Sequence, residues 1–161
     1  PGSINLKPFR SLKLDAFRSD FEINVIGAVK VLQETQRLLQ KTANSSVVLF
    51  STVAVGQGMP YHASVAASKG AIEGLTKTLA AEWAPKVRVN CVAPSLTDTP
   101  LAARLLSSDE RRDATAQRHP LKRIGTVTDI SEAVCFLLSE KSGWMTGQVL
   151  GVDGGISALK V

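Results

Sequence analysis

The sequence predicts an α/β fold, a doubly wound parallel sheet with helices on both faces. Segments with helical periodicity alternate with short β-branched runs, an order typical of parallel strands joined by right-handed crossovers. Three strands are evident, which is few for such a sheet, so we expect the sheet to be incomplete. A hydrophobic content of 44% and a charged content of 20% over 161 residues are typical of one compact domain spanning 1–161.

The first half of the chain predicts two long helices with a strand between them. Apolar residues recur mostly every four positions over 14–39, which predicts an amphipathic helix. The run VVLFS at 47–51 predicts a short strand buried on both faces, and the glycines and proline over 56–60 predict a loop. A second long helix is expected over 61–83, where Ala, Leu and Lys dominate. Pro85 indicates that this helix ends just before it.

The second half continues the alternation, with strands where β-branched residues cluster and helices where apolar residues recur at helical spacing. The expected strands are 87–93 and 148–155, and the expected helices are 101–106, 109–117 and 129–140. Between the first of these strands and the last helix the chain is otherwise polar and irregular. Pro94 ends the strand VRVNCVA, and glycines interrupt the final strand, QVLGVDGG.

The charge pattern argues against a nucleic-acid partner. The net charge of +5 arises from 19 basic and 14 acidic residues that are scattered along the chain. The densest basic cluster, from Arg111 to Arg123, is interrupted by Asp113 and contains no aromatic side chain for base stacking. We interpret it as a solvated helical face, and the same charge is compatible with a phosphorylated small molecule.

Short apolar runs argue against a membrane partner. The longest runs, such as 47–50, fall far short of the ~20 residues that a membrane-spanning helix needs. The first ten residues lack the apolar core behind a basic head that a secretion signal has. A cytoplasmic protein is therefore expected.

The two cysteines predict neither a metal site nor a disulfide framework. Cys91 and Cys135 both lie in apolar surroundings, and neither has a second Cys or a His at the spacing of metal ligands. We expect two buried free thiols and no bound metal.

Polar side chains follow the first two predicted strands. Ligands of open α/β sheets bind outside the carboxyl ends of the strands, so these residues are the candidate site. Ser51 and Thr52 follow the first strand and could bond a substrate oxygen or simply form a turn. Ser95, Thr97 and Thr99 follow the second strand and could hold a phosphate or an amide, or only cap a helix.

Two further polar residues stand within predicted helices. Lys69 lies in the otherwise apolar or small stretch SVAASKGAIEGL, where it could extend to solvent or face a cleft and lower the pKa of a hydroxyl. Asn24 lies between Ile23 and Val25, where an amide is unfavourable without a partner. It either faces solvent or joins a polar network, and periodicity does not decide between these.

Six motifs in their order along the chain resemble one known family. They are N-x-x-G on a helix, a strand ending in Ser-Thr, A-S-K-G-A, V-R-V-N-x-V-A-P, T-x-T-P and G-x-x-x-x-V-D-G-G. In this order and spacing they resemble the classical short-chain dehydrogenase/reductases, over about 14–155. The resemblance implies a Rossmann-type fold. It also implies hydride transfer between NAD or NADP and a small-molecule alcohol or carbonyl compound.

The resemblance assigns the acid–base residues of this family to particular positions. In the family a tyrosine exchanges the hydroxyl proton, a lysine lowers its pKa and binds the nicotinamide ribose, and a serine orients the carbonyl oxygen. An asparagine holds a water that connects the lysine to solvent. The asparagine matches Asn24, the lysine Lys69 and the serine Thr52, which keeps a hydroxyl.

The tyrosine position departs from the family pattern. In Y-x-x-x-K the tyrosine stands four residues before the lysine, and that position holds Val65, which has no proton to give. Ser51 is a fallback for Thr52. Tyr61, the single tyrosine of the chain, and the neighbouring His62 are fallbacks for the missing tyrosine. They lie about one helical turn (~6 Å) from the expected place.

The cofactor contacts also depart from the pattern at one position. By resemblance, cofactor-binding residues are Lys69, Pro94, Ser95, Leu96, Thr97 and Thr99. The family usually shows P-G-x-x-x-T here, so Ser95 replaces a glycine and restricts the backbone.

The glycine-rich turn that receives the pyrophosphate in this family, T-G-x-x-x-G-x-G, is not present in the sequence. We therefore expect the carboxyl-terminal portion of a longer reductase, with weak or absent binding of NAD or NADP by these residues alone. The resemblance further implies a homo-oligomer, either a dimer or a tetramer. The alternative function is a catalytically inactive member of the family with a binding or assembly role, which Val65 favours and Asn24, Thr52 and Lys69 disfavour.

Overall fold

The computed structural model describes residues 2–160. Within them the sheet has three strands, all parallel, in the order β1-β2-β3. The strands are β1 (Ser45–Phe50), β2 (Val87–Pro94) and β3 (Val149–Val152). The helices are α1 (Leu14–Phe21), α2 (Gly27–Lys41), α3 (Val53–Gln57), α4 (Ala63–Trp83), α5 (Asp109–Gln117) and α6 (Val127–Leu138). The predicted fold class and the three parallel strands are confirmed.

The first long helix contains an irregular turn that the sequence pattern did not predict. α1 and α2 form one continuous helix over 14–41, joined by a π-turn, Glu22–Ile26. The wider turn lets the consecutive residues Asn24 and Val25 both point inward, where they are 6% and 8% exposed. Single π-turns of this kind occur often at functional sites.

The helices α2 and α4 cover one face of the sheet. Successive strand residues point to opposite faces, and the odd-numbered residues of β2 point toward these helices. Val87 and Val89 pack with Leu32 of α2 and Trp83 of α4. Cys91 continues the same row beneath Ile72 and Val25. This packed face holds α4 at a fixed distance from the carboxyl ends of the strands.

The helix α6 covers the opposite face. Arg88, which points the other way from Val87 and Val89, donates hydrogen bonds from its guanidinium to the carbonyl oxygens of Leu137, Ser139 and Ser142 at 3.0–3.1 Å. Ser46 of β1 donates to the Leu137 carbonyl as well. The expected helices on both faces of the sheet are thereby confirmed.

Two expectations about the region around β1 are wrong. β1 is only partly buried, and Phe50 is 45% exposed, because β1 is an edge strand of the described sheet with one neighbour. The residues after it are not all loop, since α3 extends to Gln57. Thr52 caps the start of α3, and Gly58, with a φ of +69°, ends it.

Two further expectations are wrong. The predicted helix at 101–106 is only a 3₁₀ turn, Pro100–Ala102, which Thr99 caps and Pro100 opens. Cys135 is exposed, whereas Cys91 is buried as expected. The reason is helical spacing: Leu137 of α6 is fully buried against the sheet, and a residue two positions earlier points about 200° away from it.

The contact of α6 with the sheet predicts a difference between two adjacent leucines. Leu137→Ala should lower the free energy of unfolding by about 2–5 kcal/mol, because Leu137 is 0% exposed and its removal leaves a cavity. Leu138→Ala is the matched control, since Leu138 is 47% exposed, and it should cost about 0.5 kcal/mol or less. Urea denaturation of both variants measures the difference. Equal losses would contradict the assigned face of α6.

Candidate active site

The carboxyl ends of β1 and β2 bring the candidate residues of two segments together. Phe50 pairs with Val92, and the Ser51 amide donates to the Val92 carbonyl at 2.8 Å. The residues that follow these strands, Thr52 on one side and Pro94 on the other, therefore lie at the same edge. This is the edge where open α/β sheets bind ligands.

The two hydroxyl groups after β1 have different environments. Thr52 is half-buried, and its Oγ1 accepts a hydrogen bond from the Ala54 amide at 3.3 Å as the cap of α3. Ser51 is buried, and its hydroxyl donates to Oε1 of Glu73. Because that bond occupies the proton of Ser51, Thr52 is the better placed of the two to orient a ligand oxygen.

Lys69 reaches the same edge from α4. Its Nζ donates to the Phe50 carbonyl at 2.9 Å, so the ammonium lies at the last residue of β1. Burial lowers the pKa of Lys69 below its ordinary value, and the nearby thiol of Cys91 opposes this in part. Of the two positions that the sequence left open for this lysine, the structure places it against the strand end.

Val65 lies one turn before Lys69 on the same face of α4. Its side chain is 8% exposed and wholly aliphatic, so this position supplies no proton. Tyr61 lies ahead of α4, is 59% exposed and has a φ of +70°. His62 donates from Nδ1 to the Pro60 carbonyl at 2.7 Å. The structure does not bring Tyr61 into the buried face where Val65 lies.

Asn24 is part of a polar network and not a solvent-facing residue. It is 6% exposed at the π-turn, and its Nδ2 donates to Oγ of Ser68 at 3.2 Å. Ser68 directly precedes Lys69. Asn24 and Lys69 are therefore brought to the same turn of α4, although they are far apart in the sequence.

The segment after β2 forms the other wall of the site. The Thr97 hydroxyl donates to the Ser95 carbonyl at 3.1 Å, and the Thr99 hydroxyl donates to the Thr97 carbonyl at 3.4 Å. Thr97 also bridges to Gly125, which fixes the segment against the start of α6. Thr99 also caps the 3₁₀ turn that follows, and its role toward a cofactor stays a prediction.

Ser95 is held by a histidine that sequence reasoning missed. Oγ of Ser95 lies 2.8 Å from Nε2 of His119, and Nδ1 of His119 lies 2.9 Å from the Thr115 carbonyl. A carbonyl only accepts, so Nδ1 carries a proton; in the neutral ring Nε2 then accepts, and the Ser95 hydroxyl donates to it. Both lone pairs of the Ser95 oxygen then remain free to accept from a ligand.

This pair lines a cleft of about 140 Å³ together with Leu96, Leu121 and Arg123. His119 is 3% exposed and packs against Gly154, where a Cβ would lie 3.5 Å from the ring. The replacement of a glycine by Ser95 was the one sequence signal for this contact. His119 itself gave none, because its partner lies 24 positions away.

The described residues 2–160 contain no group of three or more His, Cys, Asp or Glu side chains placed to hold a metal ion. Among the same residues, no helix combines the length and apolar character needed to cross a bilayer.

Comparison with known proteins identifies the family. A family model described as Enoyl-(Acyl carrier protein) reductase matches residues 2–157. Short-chain dehydrogenase/reductase SDRA of Arabidopsis thaliana is 37% identical over 149 residues, which are 92% of this chain and 58% of the relative. The chain belongs to the short-chain dehydrogenase/reductase family. The resemblance drawn from the six sequence motifs is confirmed.

Other members of the family agree with this assignment in sequence and in structure. Tropinone reductase-like 3 of Erythroxylum coca is 42% identical over 135 residues, covering 84% of this chain and 52% of that protein. A gluconate 5-dehydrogenase from Burkholderia cenocepacia, solved in complex with NADP and tartrate, superposes with a TM-score of 0.92 at 28% identity, over 99% of this chain and 63% of that one. The chain spans 52–58% of the length of the two curated relatives named here.

The two thiols should differ in reactivity. Burial raises the pKa of Cys91 to about 11, so almost none of it is thiolate at pH 8, whereas Cys135 is exposed. We expect 5,5′-dithiobis-(2-nitrobenzoate) to modify one thiol in the folded protein at pH 8 and two after unfolding in guanidinium chloride.

The matched control is Cys135→Ser, which should leave the folded protein without a fast-reacting thiol. Rapid modification of a second thiol in folded protein would contradict the buried position of Cys91.

Proposed function

We propose that the protein is an oxidoreductase that transfers a hydride between NAD or NADP and a small-molecule alcohol or carbonyl compound. The observation that carries the proposal is the position of Lys69, whose partly desolvated ammonium lies at the carboxyl end of β1. Thr52 stands two residues beyond that carbonyl, and Asn24 is tied to the residue preceding Lys69. Three of the four groups that the family uses for acid–base work are therefore present.

The residues at the edge of the sheet fit part of a nicotinamide cofactor. A carboxamide and ribose hydroxyls need both donors and acceptors, and the edge offers the Lys69 ammonium and the acceptor lone pairs of Ser95. We assign Lys69, Pro94, Ser95, Leu96, Thr97 and Thr99 to the cofactor. When bound, the cofactor supplies or accepts the hydride.

The residues of this chain would then orient the reacting oxygen and manage charge near it. Thr52 would orient the carbonyl oxygen, and Lys69 would hold the ribose and stabilise negative charge nearby. The Asn24 network would keep the turn of α4 that carries Lys69 in place. The proton that reaches the substrate oxygen does not come from position 65, because valine has none.

The exposed apolar residues of α2 support the proposed homo-oligomer, a dimer or a tetramer. Val31 and Leu38 stand seven residues apart on one helical face and are 62% and 68% exposed. Burial of such a face against a second copy removes apolar surface from water. We also propose a cytoplasmic location, because the longest apolar runs of the 161 residues are far shorter than a membrane-spanning helix needs.

The substitution Val65→Tyr tests the assignment of the acid position. Made in the protein as its own gene encodes it, the variant should reduce small ketones about 10²-fold faster or more, because a positioned general acid contributes that much. Oxidation of NADH or NADPH, each at saturating concentration and followed at 340 nm, measures the rate.

The matched control is Val65→Phe, which adds the same ring without a hydroxyl and should give no gain. Activity of Val65→Tyr no greater than that of Val65→Phe would contradict the assignment of position 65 to the proton donor.

A second candidate function is a binding or assembly role without catalysis, which the aliphatic Val65 favours. The two candidates differ in cofactor affinity. On the catalytic proposal, the gene product binds NADH or NADPH. A gene product that binds neither cofactor supports the non-catalytic role.

The 161 residues by themselves should bind both cofactors with a dissociation constant above about 1 mM, since they lack a glycine-rich turn at a helix N-terminus for the pyrophosphate. Fluorescence titration measures both proteins. Micromolar binding by the 161 residues alone would contradict the weak-binding proposal.

A further inference from the structure

An acidic residue is buried beside the candidate site, and no cation among residues 2–160 pairs with it. Asp20 of α1 is 0% exposed. Its Oδ1 accepts hydrogen bonds from the Ser3 hydroxyl and from Nδ2 of Asn5, the latter at 2.9 Å. Its Oδ2 has no partner among the described residues. Burial of a carboxylate costs several kcal/mol unless its bonds are well made, so its place here requires a reason.

A chain of hydrogen bonds leads from Asp20 to the backbone at position 65. Nδ2 of Asn24 lies 3.4 Å from the Ser3 oxygen, which donates to Asp20, and 3.2 Å from Oγ of Ser68. The Ser68 hydroxyl donates to the Val65 carbonyl at 2.9 Å. Each link is buried or partly buried, so water competes with it weakly.

The same groups form two layers where α1 and α4 pack together. The two helices precede parallel strands on one face of the sheet, so they run side by side in the same direction. Asn24 meets Ser68 in one layer. One turn earlier on each helix stand Asp20 and Ser64, which is 1% exposed.

Both layers contain polar atoms without a hydrogen-bond partner among the described residues. The Ser64 hydroxyl and Oδ1 of Asn24 have no partner among the described residues, as is true of Oδ2 of Asp20. Buried polar atoms of this kind in native proteins take an ordered water or a ligand as their partner. The two layers together therefore form a polar site between the helices, not ordinary apolar packing.

Two adjacent stripes on α4 connect this site to the chemistry. Ser64 and Ser68 face α1, while Val65, Lys69 and Glu73 form the neighbouring stripe, one residue and about 100° further around the helix. The second stripe meets the end of β1, through Lys69 at the Phe50 carbonyl and Glu73 at the Ser51 hydroxyl. Any rotation of α4 about its axis would move both stripes together.

We propose that Asp20 is a positioning residue, which sets the rotation of α4 through Ser3, Asn24 and Ser68 and thereby aims Lys69 at the end of β1. Only the importance of that rotation for chemistry rests on the proposed function. The hydrogen-bond chain is a property of the fold and can be measured without any activity.

Hydrogen exchange tests the proposal. Asp20→Leu keeps the forked shape of the side chain and removes every hydrogen bond of the carboxylate. The Lys69 amide donates to the Val65 carbonyl, the last acceptor of the chain, so the amides of 66–69 should exchange at least ~10-fold faster. The amides of 76–80, two turns further along α4, should change by less than ~3-fold.

Three variants serve as controls. Asp15→Leu makes the same change at another aspartate of α1, where the side chain is 83% exposed. This variant should not accelerate exchange of the amides of 66–69 or of 76–80. Asp20→Asn keeps an Oδ1 acceptor for Ser3 and Asn5. The exchange rates of the amides of 66–69 in this variant should stay within ~3-fold of those in the unmodified protein. If Asp20→Leu does not fold, Ser68→Ala breaks the chain at its other end and should give the same selective acceleration.

Three outcomes would overturn the proposal. The first is equal acceleration of 66–69 and 76–80, which reports a general loss of stability. The second is no acceleration in either group. The third is failure of Asp20→Asn to preserve slow exchange, since the acceptor at Oδ1 is what the chain requires.

A second readout reports on Lys69 itself. Burial lowers the pKa of Lys69, so a rotation that returns its ammonium to water should raise that pKa toward its ordinary value of 10.5. Titration of the ¹³Cε signal should show this rise in Asp20→Leu and no rise in Asp20→Asn. An unmoved pKa in Asp20→Leu would overturn the claimed effect on Lys69. If Val65→Tyr gives no gain of activity, that result counts against the proposed function only. Hydrogen exchange and the Lys69 titration still test the role of Asp20.

Discussion

The packing of α4 on β2 is the contact on which the rest of the structure depends. The inward row of β2, Val87, Val89 and Cys91, is at most 1% exposed and lies beneath α4 along most of the helix. Burial of this row fixes the height of α4 above the sheet. Since the strands are parallel, it also fixes which turn of α4 stands at their carboxyl ends, and that turn carries Val65 and Lys69.

The site residues depend on this contact for their environment. Lys69 meets a backbone carbonyl and loses water because α4 is held close to the strand end, and the same burial keeps Cys91 protonated. A helix lying a few ångströms further out would leave both side chains solvated and their pKa values near the ordinary ones. The unusual titration behaviour at the site is thus a consequence of ordinary core packing.

The sequence predicted most of what local patterns control. The strands and the long helices were predicted because helical and strand spacings differ clearly, and the structure places the ends of α4 within two residues of the predicted bounds. The candidate residues after β1 and β2 followed from the rule for parallel sheets, and the structure brings Thr52, Lys69 and Ser95 to one edge. Their roles in catalysis stay a prediction.

What the sequence did not predict are contacts between distant segments. The π-turn arises from the need to bury both Asn24 and Val25, which no spacing rule reveals. The bond of Ser95 to His119 and the place of Asp20 depend on partners 24 and 17 positions away. Asp20 did carry a signal in hindsight, because it stands four residues before Asn24 on the inward face of a helix.

One departure of this chain from the family pattern, Ser95 in place of a glycine, is tied to a partner elsewhere in the fold. With glycine in place of Ser95, Nε2 of His119 would be buried without a donor, at a cost of about 1–3 kcal/mol. The buried carboxylate of Asp20, which belongs to none of the family motifs named above, depends in the same way on Ser3 and Asn5. Such mutually dependent polar pairs specify one arrangement of the site more tightly than apolar packing would.

A protein that serves only in assembly needs no buried polar contact at the carboxyl ends of its strands, because assembly uses the outer surfaces. The buried Ser95–His119 contact at that edge therefore fits the proposed ligand site better than a role in assembly alone, although Val65 supplies no proton. In the proposed reductase, the proton must therefore come from a group other than the side chain at position 65.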